Sequence, residues 1–172
     1  YMTVIMNKTQ LAADLLNTLF DYVQMDHLGY QAKLEKADLG EFVKAFLAGK
    51  YSEIEDKGCM LEVEIEDKKI MYSFDKKLMT RLLDNLLGNA LRYNPKGTVI
   101  YVSLVDSEKE IMIRVADNGT GIPEEIAEKA FEPFVTGSSV RTSGSGSGLG
   151  LSIVKKIVEL HHGHIELLLG EK

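Results

Sequence analysis

Apolar positions along this chain recur with two periods, and the switches between them mark out its elements. From residue 2 to 28 the period is helical. Ile5, Ala12, Leu15, Leu16, Leu19 and Val23 recur at spacings of three, four and seven, with Asp14, Asn17, Asp21 and Gln24 on the other side. Leu11, Leu15 and Tyr22 widen the apolar stripe beyond what a single neighbour covers. No second helix of similar length follows, so the expected partner helix lies in another chain or in a part of the protein outside this sequence.

Gly29 to Lys36 reads as a polar connector. Asp38 and Glu41 then form a capping box, with Leu39, Phe42, Val43, Phe46 and Leu47 at helical spacing behind it, and this helix is expected to end near Gly58. Cys59 to Ile65 alternates, as do Ile70, Tyr72 and Phe74, and both read as strands. Asp75 caps a predicted helix over Lys76 to Tyr93 that carries Leu78, Leu82, Leu86 and Ala90. Asn94-Pro95-Lys96-Gly97 is a turn. Thr98 to Val105 and Glu110 to Ala116 read as a hairpin, Pro123 opens a short helix, Leu151 to Leu160 is a helix, and Ile165 to Leu169 a final short strand. The predicted fold is α+β: a two-layer sandwich with a mixed, mostly antiparallel sheet, helices on one face, and a long N-terminal helix.

Composition narrows the function. Over 172 residues, 20 Lys and Arg face 26 Asp and Glu, for a net charge of −6. A general DNA- or RNA-coating surface needs the opposite balance, so no nucleic-acid partner is expected. Cys59 is the only cysteine, which excludes an internal disulfide and a Cys-based zinc site and fits a reducing compartment. No run approaches 18 apolar residues, so no membrane contact is expected from this segment, and no signal-peptide pattern is present.

Three constellations carry candidate chemistry. Asn85 and Asn89 are four apart and Arg92 three further on, so one helix face presents two amides and a guanidinium. Amide oxygens and a cation suit a Mg²⁺–phosphate group, although the same residues serve equally as the solvent face of an amphipathic helix. Asp117-Asn118-Gly119-Thr120-Gly121-Ile122 follows a strand. A carboxylate beside glycines suits recognition of an exocyclic amine, and a plain turn remains the alternative. A calcium loop would need carboxylates at alternate positions, which Glu124 and Glu125 reach too late. Gly144 to Leu151 alternates glycine with serine or leucine and runs straight into a helix. This is a phosphate cradle or a flexible linker. It is neither a Walker loop, lacking Gly-Lys-Ser/Thr, nor a dinucleotide fingerprint, lacking the preceding strand. His161, His162 and His164 suggest a metal, but they lie at a helix C-terminus where the dipole favours His and where Gly163 reads as the residue after the cap.

In this order the three constellations resemble the nucleotide-binding boxes of the histidine-kinase ATPase family, which includes DNA gyrase, the mismatch-repair ATPases and the large heat-shock chaperones. The likeness is nearest to the sensor histidine kinases. Phe131-Glu132-Pro133-Phe134 resembles their phenylalanine box, Asp75 stands where they usually carry an acid, and Gly148 to Lys155 followed by Val158 to His161 resembles their second glycine box. The resemblance spans roughly residues 38 to 169 and implies a catalytic ATP-binding domain over 31–172, with 1–30 the second helix of the dimerisation and phosphoacceptor hairpin.

By resemblance, Asn89 is implied to ligand Mg²⁺, Arg92 to contact phosphate, and Tyr93 to pack on the nucleotide. Asp117 is implied to accept from the adenine amino group, with Gly119 and Gly121 letting the base approach and Ile122 and Phe134 lining the pocket. Gly146, Ser147, Gly148, Leu149, Gly150 and Leu151 would hold the triphosphate under a lid from Val135 to Ser147. Arg141, the only cation of that lid, would reach the γ-phosphate. Asn85 stands where hydrolytic members usually hold a glutamate that activates water. Asparagine cannot act as a base, so transfer to an incoming nucleophile is implied rather than hydrolysis. None of His27, His161, His162 and His164 is followed by an acid, so the phosphorylated histidine is expected outside this chain. The implied partners are ATP, that phosphoacceptor helix, a cognate response regulator and a second copy in a homodimer. The implied location is cytoplasmic, as the cytosolic part of a membrane-bound sensor. An anti-sigma-type serine/threonine kinase and a non-catalytic nucleotide-binding module share the boxes. Ser145 departs from the glycine that the family often has at its place.

Overall fold

The computed structural model describes residues 2–27, 29–136 and 147–170, leaving aside the side chains of 2–5, 7, 8, 10, 11 and 14. In chain order the elements are α1 (Met2–Asp26), β1 (Glu35–Asp38), α2 (Leu39–Asp56), β2 (Met60–Ile65), β3 (Met71–Phe74), α3 (Lys76–Tyr93), β4 (Val99–Asp106), β5 (Ile111–Asp117), α4 (Glu124–Ala127) and α5 (Gly150–Leu160). The class is α+β, as the sequence predicts. The chain divides into two compact units, Tyr1–Gln31 with Pro123–Glu166 and Ala32–Ile122 with Leu167–Lys172.

The unit built on Ala32–Ile122 holds both sheets. β1 pairs antiparallel with β3, while the second sheet has the order β2-β4-β5, with β2–β4 parallel and β4–β5 antiparallel. Alternation along β4 buries Ile100, Val102 and Leu104 and exposes Tyr101 and Val105. α2 packs on β1 and β2, and α3 on β5, so helices cover the apolar face. Phe42 of α2 meets Phe74 of β3 edge to face at 5.1 Å.

Local caps set the helix ends. Asp38 accepts from the Glu41 amide at 3.2 Å and the Ile70 amide at 3.3 Å, fixing the start of α2 and joining it to the residue before β3. The α2 cap ends in Gly58, whose φ of +71° only glycine adopts without strain. Buried Asp75 starts α3: its Oδ1 accepts from Lys77 and Leu78 amides at 3.0 and 3.1 Å, and its Oδ2 accepts from the Lys33 amide at 2.8 Å.

In the other unit α1 packs on α5, where Lys156 Nζ meets Asp26 Oδ1 at 2.8 Å. Met25 is buried, whereas Leu16, Phe20 and Val23 remain exposed. Of the predicted stripe, the side chains of Ile5 and Leu11 lie outside the described set.

Three expectations change. The connector Gly29 to Lys36 contains the start of β1. Ile165 to Leu169 is irregular rather than a strand. At the end of α5 the left-handed residue is His162, with φ 59°, rather than Gly163. The His162 and Gly163 amides donate to the Glu159 and Val158 carbonyls, and His161 Nδ1 donates to the Ile157 carbonyl at 2.7 Å. These bonds finish the helix, and no group of three His, Cys, Asp or Glu suited to a metal exists among the described residues.

Candidate functional site

The asparagine face grows out of the packing of α3. Leu78, Leu82, Asn85, Asn89 and Arg92 follow one another at spacings of four, three, four and three, so they form a single row. Its first half is buried leucine. From Asn85 onward it turns polar, with Asn85 and Asn89 half-buried and Arg92 exposed. Leu83, Leu87 and Ala90 anchor the neighbouring face. Asn85 Nδ2 donates to the Arg81 carbonyl at 2.9 Å, leaving its Oδ1 as the acceptor for anything outside the helix. Tyr93, at the helix end, is 47% exposed, enough for one ring face to receive a flat ligand.

The carboxylate of Asp117 ends β5 and is exposed. Its Oδ1 accepts from the Gly119 amide at 3.0 Å, which curls the loop and orients the carboxyl group. Gly121 has φ +71° and Ile122 is exposed. A Cβ on Gly119 would collide with the Asn94 side-chain amide, so a larger residue there would displace that amide. The loop is stitched further by Thr120, whose Oγ1 donates to the Tyr93 carbonyl at 3.3 Å and whose amide donates to Asn94 Oδ1 at 3.1 Å. Asn85, Asn89, Arg92, Tyr93, Asp117, Gly119, Gly121 and Ile122 thus all belong to the Ala32–Ile122 unit.

The glycine segment belongs to the other unit. Ser147 Oγ accepts from the Leu149 amide at 3.2 Å, and Gly148 has φ +69°. Leu149 is the N-cap residue of α5 and offers no capping side chain. The first amides of α5, from Gly150 and Leu151, therefore have no side-chain acceptor of the usual kind, an arrangement suited to an anion. Buried Leu149, Ile153, Val154 and Ile157 hold the helix in place behind this end, and Ser152 Oγ donates to the Leu149 carbonyl at 2.9 Å. Phe134, at φ 65°, is exposed and bonds Gly148 through its backbone. Arg141 and Gly146, and with them most of the Val135 to Ser147 lid, lie outside the described residues.

A match to the family described as histidine kinase-, DNA gyrase B-, and HSP90-like ATPase covers residues 74–171. The chain belongs to this ATPase family. Its relatives narrow the type to the catalytic ATP-binding domain of a sensor histidine kinase. The sensor protein GtcS of Aneurinibacillus migulanus is 35% identical over 156 residues, 91% of this chain, and the chain spans 42% of the length of GtcS. The catalytic domain of the histidine kinase ThkA aligns with a TM-score of 0.64 at 26% identity, over 75% of this chain and 82% of that one. The complex of ThkA with the response regulator protein TrrA shares the fold over 95% of this chain and 44% of that chain, with a TM-score of 0.71 at 23% identity.

Within this ATPase domain, sequence reasoning passed over Asn94, Asn118 and Thr120. Asn94 read only as the first residue of a turn, and Asn118 and Thr120 only as members of the Asp117 to Ile122 loop. Their positions carry no periodic signal, because each acts through hydrogen bonds to residues far off in the sequence.

Proposed function

We propose that this chain binds ATP as a Mg²⁺ complex and delivers its γ-phosphoryl group to a histidine on a helix outside the chain. The carrying observation is the polar row of α3, which offers amides and a guanidinium but no base. Asn85 has its Nδ2 committed to the Arg81 carbonyl, and neighbouring Asp84 is ion-paired to Lys50 at 2.8 Å. Nothing in that row takes a proton from water, which supports phosphotransfer over hydrolysis.

The residues fit a magnesium ion that arrives with nucleotide. Mg²⁺ accepts one or two protein oxygens and fills its shell with phosphate and water. Asn89 would supply an amide oxygen, and no carboxylate cluster that would trap an ion alone exists among the described residues. The bound ion neutralises phosphate charge. Arg92 shares that task, Tyr93 packs on the nucleotide, Asp117 accepts from the adenine amine, and Ile122 borders the base; for Phe134 a part in binding the base rests on the family resemblance alone. Ser147, Gly148, Leu149, Gly150 and Leu151 present backbone amides to the phosphates, and the family resemblance assigns Gly146 and Arg141 to the same task. In the transfer, an imidazole nitrogen of the acceptor histidine bonds to phosphorus as the bond to the ADP oxygen breaks. Positioning and charge neutralisation supply the catalysis.

We assign residues 1–30 to the second helix of the dimerisation hairpin and 31–172 to the catalytic domain. The exposed Leu16, Phe20 and Val23 of α1 support this, because such a stripe needs a partner helix. The full protein would then be a homodimer that passes phosphate to a response regulator. ATP as substrate places the segment in the cytosol, as part of a membrane-bound sensor. No helix among the described residues is long and apolar enough to cross a membrane.

The test uses radiolabelled ATP with this chain alone and with a longer chain that includes the upstream helix. Acid-labile label on the longer chain only is expected. Acid-stable label on the short chain would indicate a serine/threonine kinase, and no label on either a non-catalytic module.

A further inference from the structure

We propose that Asn94 is a positioning residue that fastens the Asp117 loop to the end of α3 and thereby sets the affinity for the adenine base. This rests on the ATP-binding reading above. Asn94 leaves α3 in an extended conformation, with φ −106° and ψ 149°, so its half-buried side chain turns away from the helix axis. Its Oδ1 accepts from the Thr120 amide at 3.1 Å, 26 residues away in sequence. Its amide group lies so close to Gly119 that no Cβ fits between them. Thr120 adds a second tie through Oγ1 to the Tyr93 carbonyl.

A second asparagine holds the loop from the strand side. Asn118 Oδ1 accepts from the Val99 amide at 2.8 Å, and the Asn118 amide donates to the Val99 carbonyl at 3.3 Å. The segment from Asp117 to Thr120 is therefore clamped by one asparagine against β4 and by another against α3. The Asp117 carboxylate is exposed and accepts a local bond from the Gly119 amide. Its direction depends on these clamps, since a short loop with exposed backbone has little burial to order it. Asn94 also joins the loop to the helix that carries Asn85, Asn89 and Arg92. Its oxygen is spent on Thr120, so Asn94 acts on the base through the loop. Order imposed before binding lowers the cost of binding.

The experiment measures calorimetric affinity for ADP without Mg²⁺, which isolates the base side of the site, in the unaltered chain, Asn94→Ala and Asn94→Asp. Asn94→Ala removes the acceptor and is expected to bind about tenfold more weakly. Asn94→Asp keeps an acceptor oxygen in the same place and is expected to stay within about twofold of the unaltered chain. Rescue by aspartate separates positioning from a general loss of stability, which the acid would not repair selectively. If Asn94→Ala gives no native circular-dichroism spectrum, Asn94→Ser, too short to reach Thr120, replaces it. Unaltered affinity in the shortened variant overturns the inference alone, as does an equal loss in Asn94→Asp. No ADP binding by the unaltered chain overturns the ATP-binding reading and this inference with it.

Discussion

The backbone amide of Phe134 donates to the carbonyl of Gly148 at 2.9 Å, and both residues have left-handed φ, 65° and 69°. Between them in sequence runs the glycine- and serine-rich segment, so the bond joins residues on either side of it. The approach is tight: a Cβ on Gly148 would stand 2.8 Å from the Phe134 carbonyl carbon and 2.9 Å from its Cα. Real Cβ contacts are longer, and backbone cannot yield as a side-chain tip does. The phenylalanine is in a conformation that L-residues rarely adopt, held by the bond to its partner.

Replacing Gly148 by alanine therefore combines a clash with a strained φ. The expected cost is about 2 kcal/mol, read as a fall in Tm of roughly 5 °C. Phe134→Gly should keep or raise Tm, because it relieves strain and removes a side chain that is already 63% exposed. A Gly148→Ala protein with unchanged Tm would show that the two backbones separate freely.

Asp117→Asn is expected to leave Tm unchanged, since an amide oxygen can still accept from the Gly119 amide. Affinity for ATP should fall by ~1–3 kcal/mol, because an NH₂ group replaces the acceptor proposed for the adenine amine. Calorimetry beside a melting curve separates the two effects, and equal affinity would remove Asp117 from the base site.

Asp75→Ala strips the acceptor from three backbone amides, those of Lys33, Lys77 and Leu78, at a position only 8% exposed. A loss of about 2 kcal/mol in denaturant-derived stability is expected. Asp75→Asn should recover part of it, as one oxygen can still cap α3. Equal losses in the two variants would mean that the cap bonds contribute little.

The amides of Glu41 and Ile70 hold Asp38 below its ordinary carboxylate pKa of 3.8. A carboxyl group with a depressed folded-state pKa stabilises the fold fully above its unfolded value. That contribution disappears as pH falls through the lower folded value. Acid should therefore loosen the start of α2 below about pH 4. The expected signature is a shallower acid limb for Asp38→Asn than for the unaltered chain, measured as Tm against pH. Parallel limbs would show that Asp38 is not part of the acid response.

The candidate site was legible where its chemistry is local. α3 begins and ends where Asp75, Tyr93 and Pro95 place it, because a cap acts within one turn and a helix period repeats within four residues. Asp117 and its glycines could be found because a carboxylate, a sharp turn and a strand end are neighbours in sequence. The uncapped start of α5 follows likewise from Gly148-Leu149-Gly150.

Pairing was less legible. β1, with the polar sequence Glu-Lys-Ala-Asp, has no alternation to announce it and is a strand only because β3 lies beside it. Ile165 to Leu169 alternates somewhat, yet remains irregular, since a strand needs a neighbour's ladder as well as a pattern. β2 and β3 follow one another but belong to different sheets, and β2 finds its parallel partner in β4, across α3.

By itself, then, the sequence determined the helices, their caps and the residue types of the candidate site, all of which depend on interactions within a few residues. Only the tertiary structure decided which strands share a ladder, that His162 rather than Gly163 turns left-handed, and that Asn94 and Asn118 clamp the Asp117 loop. Each of these rests on a particular bond or close contact, several of them between residues far apart in the chain, and no local periodicity encodes such a meeting.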